Sequence, residues 1–316
     1  MQSRRQSERN FCAFWRAGGE GRPGPLRRWR LFLFALVVAG GCTHNPFGDD
    51  QIVAPGAEIR GQVLLQDGSS PEGVYVWLEH FAAGTWTDAR GQFRLPLSVT
   101  GAQAGTGVTG SFRLFFYLGN YAVQTAEVVL RNGVLMPGHG DVDSEGVLRR
   151  PVILPRLLSV TTRVEPDSFP PAVGGDVSPG SFQGTTIEVS VTLRADVDSL
   201  PVLLPNRRAG PAALLFIRGL DPGSSVQLIP QESLGALLAP LVPDTITPVG
   251  RSWSGGFYLS KGALPAGRYE VVPYVLVPQS SVPEALLASL GVSPTPGLSY
   301  LKLPFKRRQG VLTVLR

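Results

Sequence analysis

From residue 57 onward, apolar positions recur at every second residue. Ile59, Gly61, Val63 and Leu65 alternate with Arg60, Gln62 and Leu64 before a break at Asp67-Gly68-Ser69-Ser70-Pro71. Val74, Val76 and Leu78 then share one side of a run whose other side carries Tyr75 and Trp77. Thr85-Trp86-Thr87 leads into a turn at Asp88-Ala89-Arg90-Gly91, with Phe93 and Leu95 beyond it. Phe112, Leu114, Phe116 and Leu118 keep the same period, and Tyr121 to Leu130 is a further apolar-rich run. Arg131-Asn132-Gly133 is a strong hairpin signal, and Val147 to Leu154 closes the unit. A period of two, broken by Gly, Pro, Asn and Asp, predicts short strands stacked as a β-sandwich.

The second half repeats the theme with different punctuation. Pro166, Pro170, Pro171 and Gly174-Gly175 mark a linker or an opening loop. Ile187, Val189, Val191 and Leu193 alternate with Glu188, Ser190, Thr192 and Arg194, as in an antiparallel strand with one wet face. Leu214 to Ile217, Val226 to Ile229, Trp253 to Leu259, Tyr269 to Val277 and Val311 to Leu315 are further strand candidates. Two short helices interrupt them. Ser281-Val282-Pro283-Glu284 reads as a capping box ahead of 285–290 with Gly291 as the stop, and Ser233 to Ala239 is a second helix. The expectation is an all-β protein of two sandwiches, over 57–158 and 159–316. The second is immunoglobulin-like, carries one or two short helices, and matches no recognised family.

The first forty residues follow another logic. Arg27, Arg28 and Arg30 precede the apolar run Leu31 to Val38, and then Ala39-Gly40-Gly41-Cys42. A basic patch, a short apolar stretch and small residues at a cut describe a secretory signal. The run is well short of the ~20 residues that span a bilayer, and no later stretch reaches that length. Ala39-Gly40-Gly41-Cys42 resembles the lipobox of bacterial lipoproteins, with alanine where leucine is commoner. The resemblance implies cleavage before Cys42, diacylglycerol and an acyl chain on that cysteine, and a stable membrane anchor, because two or more chains hold where one does not. Thr43, where aspartate would signal inner-membrane retention, favours the outer membrane. Residues 1–41 are then the signal peptide and 42–56 a polar tether.

This division changes the meaning of the charge. The chain has a formal net charge of +5 and a pI near 9.5. Residues 1–41 hold eight Arg and two Glu, so the 29 cations and 24 anions of the whole become 21 and 22 after residue 41. The basic excess leaves with the signal, which removes the argument for nucleic acid. Of the 2 cysteines, Cys12 leaves too and Cys42 is taken by lipid, so neither a disulfide nor a thiol nucleophile is expected.

Ile59-Arg60-Gly61-Gln62-Val63, Pro71-Glu72-Gly73-Val74-Tyr75-Val76-Trp77-Leu78 and Thr87-Asp88-Ala89-Arg90-Gly91-Gln92-Phe93 together resemble the carboxypeptidase regulatory-like domain. The resemblance covers about 57–95. It implies a transthyretin-like sandwich that serves as an accessory module, and it implies no activity.

Candidate chemistry is sparse. No His-x-x-Glu follows His44, His80 or His139, so the zinc site of the carboxypeptidases themselves is not expected. Gly-x-Ser-x-Gly, a Walker loop and a dinucleotide fingerprint are absent. Ser299-Tyr300-Leu301-Lys302 matches Ser-x-x-Lys without its companion motifs, and it falls in an expected strand. Asp141, Asp143 and Glu145, followed by Gly146, follow the opening of a calcium loop. Val152 stands where the bidentate glutamate belongs, and an acidic turn is the competing interpretation. Tyr75 and Trp77, if exposed, could stack on a sugar or meet a partner; otherwise they pack against the second domain. The reading is a non-enzymatic envelope lipoprotein that binds a protein or glycan, with no cofactor unless calcium. A calcium-dependent surface or adhesion protein is the alternative, and a hydrolase with an unrecognised site is third.

Overall fold

The computed structural model describes residues 58–81, 83–97, 108–132, 134–143, 145–169, 184–205, 214–260 and 262–315. The signal region, Cys42, Thr43 and the tether lie outside the described residues. No helix among the described residues is long and apolar enough to cross a membrane.

Strands dominate, as the period of two requires. In the first part, β1 (Glu58–Leu65), β2 (Tyr75–Leu78), β3 (Ala83–Trp86), β4 (Gln92–Pro96), β5 (Gly110–Tyr117), β6 (Gln124–Arg131), β7 (Val134–Gly140) and β8 (Val152–Leu154) form two sheets. One has the order β4-β1-β8 and the other β3-β2-β5-β6-β7. Their facing sides interdigitate: Ile59, Val63, Phe93 and Leu95 pack with Val74, Val76, Leu114, Phe116 and Val128. The turn between β3 and β4 shows why Asp and Gly stand there. Asp88 Oδ1 accepts the Arg90 and Gln92 amides at 2.9 and 2.8 Å. Gly91 takes φ +76°, and a Cβ on it would lie 2.0 Å from the Val63 carbonyl oxygen. Only glycine fits both demands.

The chain leaves the first sandwich's ladder at Leu154 and joins the second at Leu158. There β9 (Leu158–Glu165), β10 (Ser168–Phe169), β11 (Gly184–Ala195), β12 (Leu200–Pro205), β13 (Leu215–Gly219) and β14 (Gln227–Leu228) come before α1 (Gln231–Leu238). β15 (Leu241–Ile246), β16 (Arg251–Ser260), β17 (Gly267–Pro273), α2 (Glu284–Ser289) and β18 (Gly310–Val314) follow. The sheets run β10-β18-β17-β13-β14 and β16-β11-β9, with β12-β15 as a separate ribbon. The expected alternation in β11 holds: Ile187, Val189, Val191 and Leu193 enter the core while Glu188, Ser190, Thr192 and Arg194 stay outside.

Three details depart from the sequence reading. The sequence pattern gives no strand for β9, β10, β12 or β15, and marks β7 only through the hairpin turn before it. The capping box is not made: α2 starts on Pro283 with no side-chain cap, although Gly291 does take φ +68° just past its end. Ser299 to Lys302 forms a 3-10 turn (Leu298–Lys302) rather than a strand.

A third core joins the two sandwiches. Tyr75, Trp77, Phe115 and Tyr117 project from the back of the five-stranded sheet of the first. They meet Leu214, Phe216, Val272 and Tyr274 from β13 and β17 and the segments after them, with Leu286, Tyr300, Leu301 and Leu303 filling the space between. The neighbours of these residues along β13 and β17, Leu215, Ile217, Tyr269 and Val271, point into the second sandwich's own core. Both central sheets are therefore buried on two sides, and Val53–Arg316 forms one compact unit.

Polar groups fasten the same seam. Asn120, 1% exposed, donates to the carbonyls of Leu158 and Lys306 at 2.8 and 2.9 Å and accepts the Lys306 amide at 3.0 Å. Gln279 accepts the Val123 amide and donates to the Tyr121 carbonyl. Arg156, in the short crossing between the sandwiches, is ion-paired with Asp67 of the first and Asp196 of the second.

Candidate functional site

The residues singled out by sequence are mostly put to structural use. Tyr75 and Trp77 are 7% and 3% exposed. Of the two alternatives the second is the one formed: they pack against the second sandwich, and the partner contact proposed for Tyr75 and Trp77 is not available while the sandwiches stay joined. The physical reason is the apolar face opposite them. Tyr75 packs tilted on Trp86 with centroids 4.8 Å apart and shares a hydrogen bond of 3.1 Å with the Ser289 hydroxyl. Trp77 packs tilted on Phe115 at 5.7 Å.

The acidic segment is a turn. Asp143 Oδ1 accepts the backbone amides of Glu145 and Val147, each at 2.9 Å, and these bonds hold its carboxyl below the usual carboxylate value. Asp141 Oδ2 accepts the Glu127 amide at 2.7 Å. One oxygen of each aspartate is thereby committed to backbone amides. Among the described residues no three His, Cys, Asp or Glu side chains gather as metal ligands. The calcium geometry with Asp141, Asp143 and Glu145 is therefore not formed. Tyr300 of the Ser-x-x-Lys segment is buried, and its hydroxyl donates to the Val275 carbonyl at 2.9 Å; burial pushes its phenol up. Ser299 Oγ accepts the Ser293 amide at 3.1 Å, which gives it a place in a loop. Cys42 lies outside the described residues.

The exposed counterpart lies on the outer side of the β4-β1-β8 sheet. Antiparallel pairing sets Arg60 opposite Arg94 and Gln62 opposite Gln92, and the parallel pair β1–β8 sets Leu64 opposite Ile153. Three matched rungs result, one of guanidinium, one of amide, one of hydrocarbon. Leu64 and Ile153 are 37% and 55% exposed. A groove of about 780 Å³ runs along the first two rungs, bordered by Thr85, Trp86 and Asp88 on one side and Val147, Leu148 and Pro151 on the other. That volume is within the range of small-ligand sites, roughly 300–1,000 Å³.

The first rung is the informative one. Like charges directly opposite on antiparallel strands destabilise a sheet. Arg60 is partly compensated, with Glu58 at 3.2 Å and the Glu145 carbonyl at 3.2 Å. Among the described residues Arg94 has no hydrogen-bond or ion-pair partner. Gln62 donates to the Arg90 carbonyl at 3.2 Å. Half-exposed Trp86 stands at the border, in tilted ring contact with Tyr75 of the third core.

No protein-family model and no curated protein matches this chain. Solved structures give only distant likenesses. The major pilin subunit BcpA of Bacillus cereus is 11% identical over 70% of this chain and 68% of its own, with a TM-score of 0.23. The shaft pilin SpaA of Lactobacillus rhamnosus GG is 13% identical over 70% of this chain and 87% of its own, again at 0.23. The Bacillus anthracis TIE protein is 10% identical over 70% of this chain and 28% of its own, at 0.19. Overlap this slight assigns no activity.

Chemically, the groove offers cations, amide donors and acceptors, and an aromatic edge, which is a recognition set. It offers no nucleophile with an adjacent base. Sequence reading missed it because Arg60, Gln62, Gln92 and Arg94 look like ordinary polar positions of two strands. Only the register between β1 and β4 makes them rungs.

Proposed function

We propose that this chain is a non-enzymatic lipoprotein of the bacterial envelope, anchored through Cys42, whose joined sandwiches hold a binding face toward a protein or glycan partner. The observation that carries the reading is the groove beside the Arg60–Arg94 rung, where the register sets two like-charged residues opposite one another, a pairing that sheets disfavour. The lipobox resemblance at Ala39-Gly40-Gly41-Cys42 supports the anchor, and Thr43 supports the outer membrane. The first sandwich is read as a carboxypeptidase regulatory-like module. In support, Asp88 and Gly91 make the turn and Ile59, Val63 and Phe93 fill the core, as the resemblance implies.

In-cell cross-linking and pull-down of the full lipidated chain would test it, with Cys42→Ala and Arg94→Glu as comparisons. A stoichiometric partner that is lost with either substitution is the expected result. A wild-type chain recovered in the soluble fraction would overturn the anchor. A partner retained in full by Arg94→Glu would overturn the face.

A further inference from the structure

Below the third core, the segment leading to β18 builds a small basic pocket at the seam. It encloses about 250 Å³ between Glu72 and Gly73 of the first sandwich, Arg218 of β13, and the stretch from Leu301 to Arg307. Cationic residues supply Arg218, Lys302, Lys306 and Arg307 to its lining, and Glu72 is the single acidic one. Arg218 is ion-paired through Nε with Oε2 of Glu270, which is 0% exposed and whose Oε1 has no hydrogen-bond partner among the described residues. Lys306 and Arg307 then stand against Glu72, while the Lys302 ammonium lies beside Gly291 at the end of α2.

Arg307 marks where the excess is felt. Its guanidinium lies over the rings of Phe305 and Tyr300, 4.9 and 5.9 Å from their centroids. This clamps the group in place, yet Nη1 is buried and has no hydrogen-bond partner among the described residues. A buried charged donor without an acceptor is among the costlier arrangements a fold can keep. A trapped water would satisfy the hydrogen bond and leave the charge. An anion would satisfy both, since a guanidinium offers a planar fork of donors that matches an oxyanion.

We infer that this pocket binds a small oxyanion of the phosphate class, with Arg307 as its principal donor and Lys306 as a second cation. The volume admits a phosphate group and a few waters; it is below that of a site for a drug-sized ligand. The same chemistry has two sources for a membrane-anchored protein: free phosphate, or the headgroup of an anionic lipid. The site is independent of the groove on the β4-β1-β8 sheet and of any partner bound there.

The test is thermal melting of the full chain in detergent, titrated with inorganic phosphate at ionic strength held constant with chloride. A saturable rise in Tm is expected, since a ligand that binds only the folded state stabilises it. Arg307→Gln should weaken the apparent affinity about tenfold, as expected for loss of a charge-assisted hydrogen bond. Because Arg307→Gln also removes ring contacts, Lys306→Gln is the second variant; the Lys306 backbone bonds to Asn120 are untouched by it, and it should weaken phosphate several-fold without lowering the Tm of the free protein. Phosphatidylglycerol vesicles against phosphatidylcholine vesicles form the other arm. A response to vesicles but not to phosphate assigns the lipid headgroup, and the reverse assigns the free ion. No response in either arm, or equal phosphate responses in wild type and both variants, would overturn the site and leave Arg307 as a clamp for Tyr300.

Discussion

The first sandwich has two outward-facing sheet surfaces, and they meet opposite fates. On the five-stranded sheet, Tyr75, Trp77, Phe115 and Tyr117 are covered by the second sandwich. On the three-stranded sheet, Arg60, Gln62, Leu64, Gln92 and Arg94 remain at the surface around a groove. The backbone is the same pleated ribbon in both cases. What differs is the second set of alternate side chains, aromatic on one surface and mostly charged or amide on the other. A surface of large rings is held by burial, each ring contributing roughly 1.5–3 kcal/mol. A surface of guanidinium and amide groups contributes little to folding and is free to serve recognition. The kind of side chain on the second face therefore decides which surface is covered and which stays open.

The contrast can be broken most forcefully from the covered side. Phe115 is fully buried and touches Trp77. Phe115→Ala should cost about 3–5 kcal/mol, the usual range for an aromatic removed from a core. Denaturant unfolding followed by tryptophan fluorescence checks it, and the wild type should unfold in a single transition because the sandwiches share that core. A loss below about 1 kcal/mol would mean that the seam is loosely packed and the comparison false.

Asn120 carries the next largest effect. Its side chain satisfies two carbonyls and one amide drawn from two other segments of chain, at Leu158 and Lys306, all at the seam. Asn120→Ala leaves those groups without their partner and should cost about 2–3 kcal/mol. Asn120→Asp keeps the acceptor for the Lys306 amide and loses both donations, so it should not restore the stability. Chemical denaturation of the two variants side by side is the measurement.

Much of the covered surface could be read in the chain. Tyr75-Val76-Trp77-Leu78, Leu114-Phe115-Phe116-Tyr117 and Leu214-Leu215-Phe216-Ile217 are apolar at every position, which is the mark of a strand buried on both sides. The strict alternation of β11 marks the opposite case, and there the wet face followed as expected. For Tyr75 and Trp77 the same pattern favours packing over exposed contact, because their neighbours leave no polar side to the strand. Other elements were hidden for chemical reasons. β12 and β15 contain Pro201, Pro205 and Pro243, which argue against a central strand but fit a two-stranded ribbon. Leu158 to Glu165 alternates clearly and was passed over because it begins at the expected domain boundary. The Arg60–Arg94 rung was out of reach, since it depends on a register between strands separated by an intervening hairpin. The seam pocket depends likewise on where the segment after the 3-10 turn crosses the first sandwich.

Acid separates the two surfaces more gently. Burial of Asp67 opposes its ionisation, but hydrogen bonds from Ser69 and Tyr121 and the charge of Arg156 outweigh it and hold the carboxyl below its ordinary 3.8. A carboxyl depressed in the folded state stabilises at pH above its unfolded value, and that contribution is lost as pH falls toward the folded value. Stability of the wild type should therefore fall with acid from about pH 5 downward, and Asp67→Asn should flatten part of that slope while lowering stability at neutral pH. Melting temperatures between pH 3 and 7 for the pair would show it. Parallel curves for the two proteins would remove Asp67 from the account of the seam.

The smallest effect on stability belongs to the open face, and its smallness is what would sharpen the comparison. Arg94 is exposed, has no partner among the described residues and stands opposite Arg60. Arg94→Gln removes a like-charge rung and keeps a side chain of similar reach, so it should change stability by no more than about 0.5 kcal/mol, with a gain more natural than a loss. Partner capture in cells should fall in the same variant if the rung serves recognition. Stability raised and capture lowered is the signature of a side chain held against the interest of the fold. Stability lowered, with capture unchanged, would make Arg94 an ordinary structural residue and leave the groove without a role.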